Sequence, residues 1–453
     1  MSPNSRRDFI KKIGVGTAAI SLGNSLFNNS AMAASAKSYR NIIGANERIR
    51  VATIGVNSRG ASMSGTFARQ KNTEVTHICD VDERAIPKAI KRVADAGQAN
   101  QPKIEKDLRK VLEDKDVDAI YTATPDHWHA PLTILGCQAG KHVYVEKPMA
   151  HNPAEGEMAV AAARKYNRVV QMGAKRRSAP VLAKGIQLLH EGVIGKVYMA
   201  KTWYTNTRKA TFLKPGPVPV WLDYELWQGP APRVPYQEGL IHYDWHWFWH
   251  WGTGEALNNG THMVDLARWG LQVDFPTKVS SNGGRYAYDD DWETPDTQVI
   301  NIEFGPDKMI TWEGRSCNAM TTEGSNVGVM FYGTNGSLQI DGANSYKVFD
   351  VKGKLVKDVK DSGPINTASL TSPSQQLDAI HFQNMFSAIK DGGNLNSDIL
   401  SGHQSTLLVQ LGNIALRSGK TLEINPSNGH IRDNSVMNDY WSREYAKGWE
   451  PKI

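Results

Sequence analysis

In the first third of the chain, apolar residues come in short runs separated by stretches with helical spacing. The runs are Arg48–Ile54, Glu74–Cys79, Asp118–Thr124, His142–Val145 and Val169–Met172. Each is too short for a helix and is followed by Gly, Asp, Pro or Glu, which predicts buried strands. Helical spacing runs from Gly60 to about Gln70 and recurs over Arg84–Ala96, Asp107–Glu113, Leu132–Ala139 and Ala154–Lys165. Strands and helices alternating at this interval predict a doubly wound parallel sheet over residues 47–174.

The pattern then changes. A helix over Pro180–Glu191 leads into a strand, Lys196–Trp203, and a long Pro/Trp/Tyr-rich stretch, Pro215–Trp251. A helix follows over Asn258–Trp269. From Lys278 to about Val356 short strands with turns such as Gly333-Thr-Asn-Gly336 predict a large, open, mostly antiparallel sheet. Amphipathic helices over 375–390 and 398–417 are expected to close this second, α+β domain, residues 175–426. Residues 34–46 read as an arm and 427–453 as a tail.

The chain opens with Ser5-Arg6-Arg7-Asp8-Phe9-Ile10-Lys11, a weakly apolar stretch from Ile13 to Leu22, and Ala31-Met32-Ala33. This order of parts predicts a twin-arginine export signal over residues 1–33, hence a periplasmic or otherwise exported protein. That machinery carries folded proteins, so any cofactor is expected to be bound before export, and tightly.

Composition narrows the partners. Net charge is +6, and four basic residues and one acid lie in the leader, so the remainder carries about +3. No Lys/Arg block marks a nucleic-acid surface. No apolar run of membrane-spanning length follows the leader. Cys79, Cys137 and Cys317 are too dispersed for a metal motif, and His246 and His250 lack a clear third ligand, so no metal is expected.

Two motifs carry chemistry. Gly55-Val-Asn57-Ser-Arg59-Gly60 follows a strand and precedes a helix, as a pyrophosphate-binding loop does. Asn57 stands at the second glycine position, and asparagine tolerates left-handed geometry better than other side chains. Asp80 ends the second strand, where a carboxylate would bind ribose hydroxyls and repel a 2′-phosphate, which favours NAD over NADP. Glu146-Lys147-Pro148 follows a buried strand. A lysine there is costly to desolvate and can be tuned as a proton donor or acceptor. The other reading is a surface Glu–Lys pair.

In order and spacing, Gly55 to Gly60, Asp80, Thr124-Pro125-Asp126-His127-Trp128-His129 and Glu146-Lys147-Pro148 resemble the Gfo/Idh/MocA oxidoreductases. Trp227-Gln-Gly-Pro-Ala-Pro232 and Gly260-Thr-His-Met-Val-Asp265 resemble its exported bacterial branch. The resemblance implies a Rossmann domain holding NAD through Gly55, Asn57, Arg59, Gly60, Asp80, Thr124, Pro125, His127, Glu146 and Lys147. It implies that Lys147 lies near the nicotinamide and the reacting carbinol. It implies a second polar group, His262, on the next domain's helix, with an aspartate four residues earlier. Here that residue is Asn258, which is neither acid nor base, so either His262 works without a carboxylate there or Asp265 on the following turn assists, and the base that takes the hydroxyl proton is Lys147 or His262.

His129 is expected to line the cleft or to pack on Trp128. Trp245-His-Trp-Phe-Trp-His-Trp251 alternates strictly. If extended, it puts all four tryptophans on one face; most of the run reads as a wedge of core or interface aromatics, with one or two, Trp245 and Trp249, expected to reach a sugar. The likeness favours a sugar or cyclitol oxidoreductase, a homodimer or homotetramer. A second reading is a glycosidase that oxidises a ring hydroxyl transiently, eliminates the aglycone, adds water and returns the hydride. The glycosidase branch lacks a lysine at the position of Lys147, which favours the first. A third is a non-catalytic sugar-binding relative.

Overall fold

The computed structural model describes residues 48–361 and 375–453. The expected export signal of residues 1–33 and the expected arm of residues 34–46 lie outside the described residues. The first domain holds β1 (Ile49–Ile54), β2 (Thr73–Cys79), β3 (Lys103–Glu105), β4 (Ala119–Thr122), β5 (His142–Val145) and β6 (Val170–Met172). They form one parallel six-stranded sheet in the order β3-β2-β1-β4-β5-β6. Ile54 pairs with Cys79 and with Thr122, which pairs with Val145. The residues after these strands, Gly55, Asp80 and Glu146-Lys147 among them, therefore emerge along one edge, where α/β sheets place their ligands.

Helices α1 (Arg59–Ala68), α2 (Ile86–Asp95), α3 (Leu108–Glu113), α4 (Asp126–Gln138) and α5 (Pro153–Lys165) lie among these strands in the chain. Helix α4 starts at Asp126, six residues before the expected Leu132. Pro131 reads as a helix break, because it cannot donate to the carbonyl four residues back. That carbonyl, of His127, instead accepts a hydrogen bond from Arg443 Nη2 at 2.6 Å. A residue more than 300 positions away thus permits a continuous helix, and it brings the Asp126–His129 turn to the sheet edge.

The second domain runs through α6 (Pro180–His190), β7 (Val197–Thr205), a small hairpin β8–β9 (Lys214–Pro215, Gln237–Glu238), α7 (Tyr224–Gln228) and α8 (Thr261–Leu271). Then come β10 (Lys278–Gly284), β11 (Thr297–Phe304), β12 (Lys308–Arg315), β13 (Val327–Gly333), β14 (Gly336–Asp341), β15 (Tyr346–Asp350) and β16 (Leu355–Val359). Helices α9 (Gln375–Asp391) and α10 (Ile399–Ser418), β17 (Leu422–Glu423) and α11 (Asn434–Tyr440) complete the chain. Nine strands make one sheet, β16-β15-β14-β13-β7-β12-β11-β10-β17, in which only the β7–β12 pair is parallel. One face is covered by α8 and α10, whose Leu266, Leu407 and Leu411 join Ile300, Ile310 and Phe331 in a single apolar core.

Two assignments change. Helix α9 was expected to close the second domain, yet its Phe382, Met385 and Phe386 pack with Phe67, Tyr121 and Tyr144 of the first. Those three side chains form one helical stripe, and Phe382 stacks on Phe67 at 4.0 Å. The tail is also built in. Trp441 donates to Glu157, Arg443 and Tyr445 bind Glu155, and the Trp449 ring meets Trp128 edge-on at 5.2 Å. No helix among the described residues is long and apolar enough to cross a membrane.

Candidate active site

A cavity of about 700 Å³ opens along the carboxyl edge of the parallel sheet and extends under β7 and α8. At one end lies the glycine loop. Gly55 has φ +79°, and a Cβ there would stand 2.8 Å from the Ala123 carbonyl, so only glycine fits. Gly60 packs the start of α1 on the loop, since its Cβ would come within 1.9 Å of the Gly55 oxygen. Gly60 shapes the loop from behind, whereas Asn57, Ser58 and Arg59 face the cavity. Asn57 lies outside the left-handed region, so its tolerance for that geometry is not what admits it there. Its side chain accepts from Lys88 at 3.1 Å.

Asp80 faces the same end. Its oxygens accept the N–H groups of Val56 at 2.6 Å and Asp82 at 2.9 Å, while burial pushes its carboxyl up. This fits a dinucleotide on the structure's own terms: a loop at a helix N-terminus in which Gly55 leaves no room for a Cβ, with a buried acceptor twenty residues past Gly60. Thr124 and Pro125 line the cavity beside it. His127 does not, because its Nε2 is turned to the Trp227 carbonyl at 3.0 Å.

The second domain closes over this end. Leu222 bridges to Asp82, Asp223 N–H donates to the Val81 carbonyl at 3.0 Å, and His242 Nε2 meets the Asp82 carboxylate at 2.5 Å. Leu226, Trp227 and His242 thereby become walls of the cavity.

At the middle stands Lys147. Its Nζ donates to the Asn258 carbonyl at 2.5 Å and to Asn258 Oδ1 at 2.9 Å. Desolvation lowers its pKa against the pull of Glu146, Asp126 and Glu255. Glu146 is not a surface partner: it is buried and accepts from Arg59 at 2.9 Å and from the Tyr121 hydroxyl at 3.0 Å. Burial raises its pKa, but Arg59 and Lys175 outweigh that and hold it below the usual range. The Arg59 guanidinium is committed to Glu146 and to Asp378 of α9, so its charge steadies Glu146. Lys175, 3.3 Å from Asp378, is lowered by burial to about 8.

Asn258 and Asn259 lie in a π-helical turn, Ala256–Gly260, that leads into α8. Such turns are frequent at functional sites. Behind them is buried Glu255, which accepts from Asn258 Nδ2 at 3.2 Å and from Asn259, and pairs with Arg208 at 2.9 Å. Donation to Glu255 turns the amide oxygen of Asn258 toward Lys147. His262 lines the cavity and makes no hydrogen bond among the described residues. Burial, then Lys147 and Lys175, keep it neutral. Asp265 is not in the cavity. It is buried, binding Arg177 at 2.8 Å and Ser405 at 2.6 Å, because one helical turn past His262 it faces α10.

The aromatic run is not extended. A 3-10 turn, Asp244–Trp247, breaks the alternation, and the tryptophans diverge. Trp245 stacks on His246 at 3.6 Å, and both line the cavity. Trp247 stacks on Trp292, and Trp251 packs against Trp227. Trp249 lies outside the cavity, under the Arg417 guanidinium at 4.8 Å. His129 does line it, with Nδ1 at 2.6 Å from the Pro148 carbonyl. Tyr204, Asn206, Arg208, Tyr243 and His246 complete the wall and were missed. The first four come from a strand end and from loops and turns that carry no periodic signal, whereas His246 stands in the alternating run and was considered only as a metal ligand. Asp126 of the Thr124–His129 segment is also on the wall.

Residues 49–174 match an oxidoreductase family described as an NAD-binding Rossmann fold, and residues 193–450 match its C-terminal alpha/beta domain. A glycosyl hydrolase family 109 protein of Saccharopolyspora erythraea is 33% identical over 175 residues, which is 38% of each chain. The chain thus spans well under half the length of that relative. A levoglucosan dehydrogenase solved with NADH and levoglucosan shares the fold at a TM-score of 0.64 and 18% identity, covering 83% of this chain and 99% of that one. An aldose-aldose oxidoreductase from Caulobacter crescentus, solved with glycerol, gives 0.62 and 19%, covering 83% and 100%. Matched over both of its domains, the chain belongs to the Gfo/Idh/MocA family of oxidoreductases, with an NAD-binding Rossmann domain.

Proposed function

We propose that this protein is an exported NAD-dependent oxidoreductase that moves a hydride between a secondary alcohol of a sugar, glycoside or cyclitol and the nicotinamide. The observation that carries this is the position of Lys147. It lines one cavity together with Gly55 and Asp80 of the first domain and with Trp245, His246, Tyr204 and Asn206 of the second, and it is held by Asn258. NAD, when bound, supplies the hydride acceptor. The backbone from Gly55 to Ser58 and the Asp80 carboxylate are the groups to hold it. Lys147, its pKa lowered by desolvation, takes the hydroxyl proton in one direction and returns it in the other. Neutral His262 offers a ring nitrogen to the substrate, and Trp245 offers a flat face to a pyranose ring. The fold shared with a levoglucosan dehydrogenase and an aldose-aldose oxidoreductase supports a carbohydrate as substrate.

The twin-arginine leader supports export and a periplasmic site. An exported enzyme meets little free cofactor, so NAD is bound tightly before export and recycled between two substrates. The exposed face of the nine-stranded sheet is where a homodimer or homotetramer would form. The test is a screen of glycosides and cyclitols that follows nicotinamide absorbance and products together. Lys147→Ala should lower turnover of the favoured sugar by about 10²–10⁴-fold. Full turnover in that variant, or gently purified protein that releases no NAD on denaturation, would refute the proposal.

A second reading is an NAD-dependent glycosidase working by transient oxidation, and the likeness to glycosyl hydrolase family 109 favours it. Release of the aglycone from aryl glycosides without net NADH would establish it over the first.

A further inference from the structure

We infer that residues 216–236 of the second domain form a strap over the Asp80 end of the cavity, and that NAD enters and leaves only when the strap lifts from Val81–Arg84. This rests on the reading of that end as the dinucleotide site, and it names what would keep the cofactor there. The strap leaves its own domain through a narrow neck. The flanking residues pair in the β8–β9 hairpin, Lys214 with Glu238 and Pro215 with Gln237. Its apolar residues do not join the core under the nine-stranded sheet. Leu222, Trp227 and Tyr236 pack instead with Trp247 and Trp251 in a separate cluster, and Val81 of the first domain packs at its edge. A segment with a two-strand neck and a cluster of its own can move without disturbing the sheet.

Its two footholds in the first domain differ in kind. At the start of α4 the strap is embedded. The Trp227 carbonyl accepts from His127 Nε2 and from Trp128 Nε1, each at 3.0 Å, and all three residues are buried. Past the end of β2 it rests on the surface. Asp223 N–H donates to the Val81 carbonyl at 3.0 Å, and Glu83 N–H donates to the Trp221 carbonyl at 3.1 Å. The Arg84 guanidinium lies 3.1 Å over the Trp221 ring, yet the Arg84 side chain is half exposed and Val220 beside the ring is fully exposed. Just past the hairpin, His242 adds its contact with Asp82. Backbone bonds close to water open at less cost than bonds buried among aromatic rings. The β2 foothold is therefore the latch and the α4 foothold the hinge.

What lies between the footholds is the ground a dinucleotide would occupy. Leu226 and Trp227 of the strap line the cavity with Asp80 and Val81. The latch sits directly behind the ribose acceptor, because Asp82 N–H donates to Asp80 Oδ1 at 2.9 Å. A chain fastened to both rims of a cleft bars the way out of it until one fastening opens. Retention of NAD is then a property of the second domain as much as of the glycine loop.

The test uses the full chain carrying Asp82→Cys and Leu222→Cys. These two residues are bridge partners, and Cα atoms paired in that way lie about 4.5–5.5 Å apart, within reach of a disulfide. Neither lines the cavity, so tying them together takes away no wall. NADH is the probe, and its fluorescence follows release into excess NAD and entry into cofactor-free protein. Oxidation should slow both entry and release by about tenfold or more against the same protein reduced, and dithiothreitol should restore both. Release as fast from the oxidised as from the reduced form overturns the inference. Arg84→Ala, also outside the cavity wall, decides the matter if the double variant does not fold. It loosens the latch, so entry and release should both quicken by about threefold or more. Unchanged rates overturn the inference, and so does faster release with slower entry, the sign of a lost attraction for the cofactor. If the reduced protein takes up no NADH, the reading of the cavity as a dinucleotide site has failed and the strap falls with it.

Discussion

At the scale of single residues, the site depends on a few charges kept where water would normally screen them. Lys147 is bound by two oxygens of one neutral residue, Asn258, so it keeps a depressed pKa that a directly paired carboxylate would cancel. The carboxylate is set one step back, at Glu255. Specificity belongs to the same scale. Trp245 faces the cavity and Trp249 does not, although both sit in one alternating run. Trp245→Ala should therefore raise KM for the sugar about tenfold or more, at little cost in kcat. Trp249→Ala should leave KM unaltered. Equal effects in steady-state kinetics would mean that the cavity is not the sugar site. Gly55, Asp80 and Lys147 were legible because each ends a strand of one sheet, and strand ends can be read from apolar runs. Asp265 was misplaced because periodicity does not say what a helix face meets, and Trp249 because a 3-10 turn breaks the alternation that the run displays. Asp378 was invisible because it meets Arg59 across 319 positions and two domains, and Arg208 because its partner Glu255 lies 47 positions on, beyond any local period.

At the scale of elements, five strands of the parallel sheet and most helices were legible within a few residues, because apolar runs bounded by Gly, Asp and Pro leave little choice, whereas the three-residue β3 at the sheet edge, Lys-Ile-Glu, carries no such run. Two exceptions have long-range causes. Helix α4 passes through Pro131 because Arg443 binds the carbonyl that the proline leaves free. Helix α9 returns to the first domain because its aromatic stripe fits the slot made by Phe67, Tyr121 and Tyr144. Phe382 is fully buried there. Phe382→Ala should destabilise the protein by about 3–5 kcal/mol, read as a lower urea midpoint. It should also weaken NAD binding, because the same helix carries Asp378, the anchor of Arg59 and so of Glu146. A loss of stability with unchanged NAD affinity would show that α9 only fills space.

At the scale of the whole molecule, buried neutral histidines set the response to acid. Burial holds His381 and His403 at about 4, against 6.5 for a free imidazole. Between those values the unfolded chain binds protons that the folded chain does not, so stability falls as pH falls. Each such group contributes up to about 1.4 kcal/mol per pH unit across that window. The urea midpoint should therefore be lower at pH 5 than at pH 7, and an unchanged midpoint would mean that these rings titrate freely in the fold.

The seam between the domains has a further consequence. Leu222, Asp223 and His242 reach across to Val81 and Asp82, and α9 reaches back to Phe67. Neither half is a cassette. A chimera cut near residue 174 and given another nucleotide-binding half would sever one set of partners and leave α9 facing a foreign surface. The grafts expected to succeed are those that carry residues 49–174 and 375–391 together, with the 222–242 crossing segment matched to the new half.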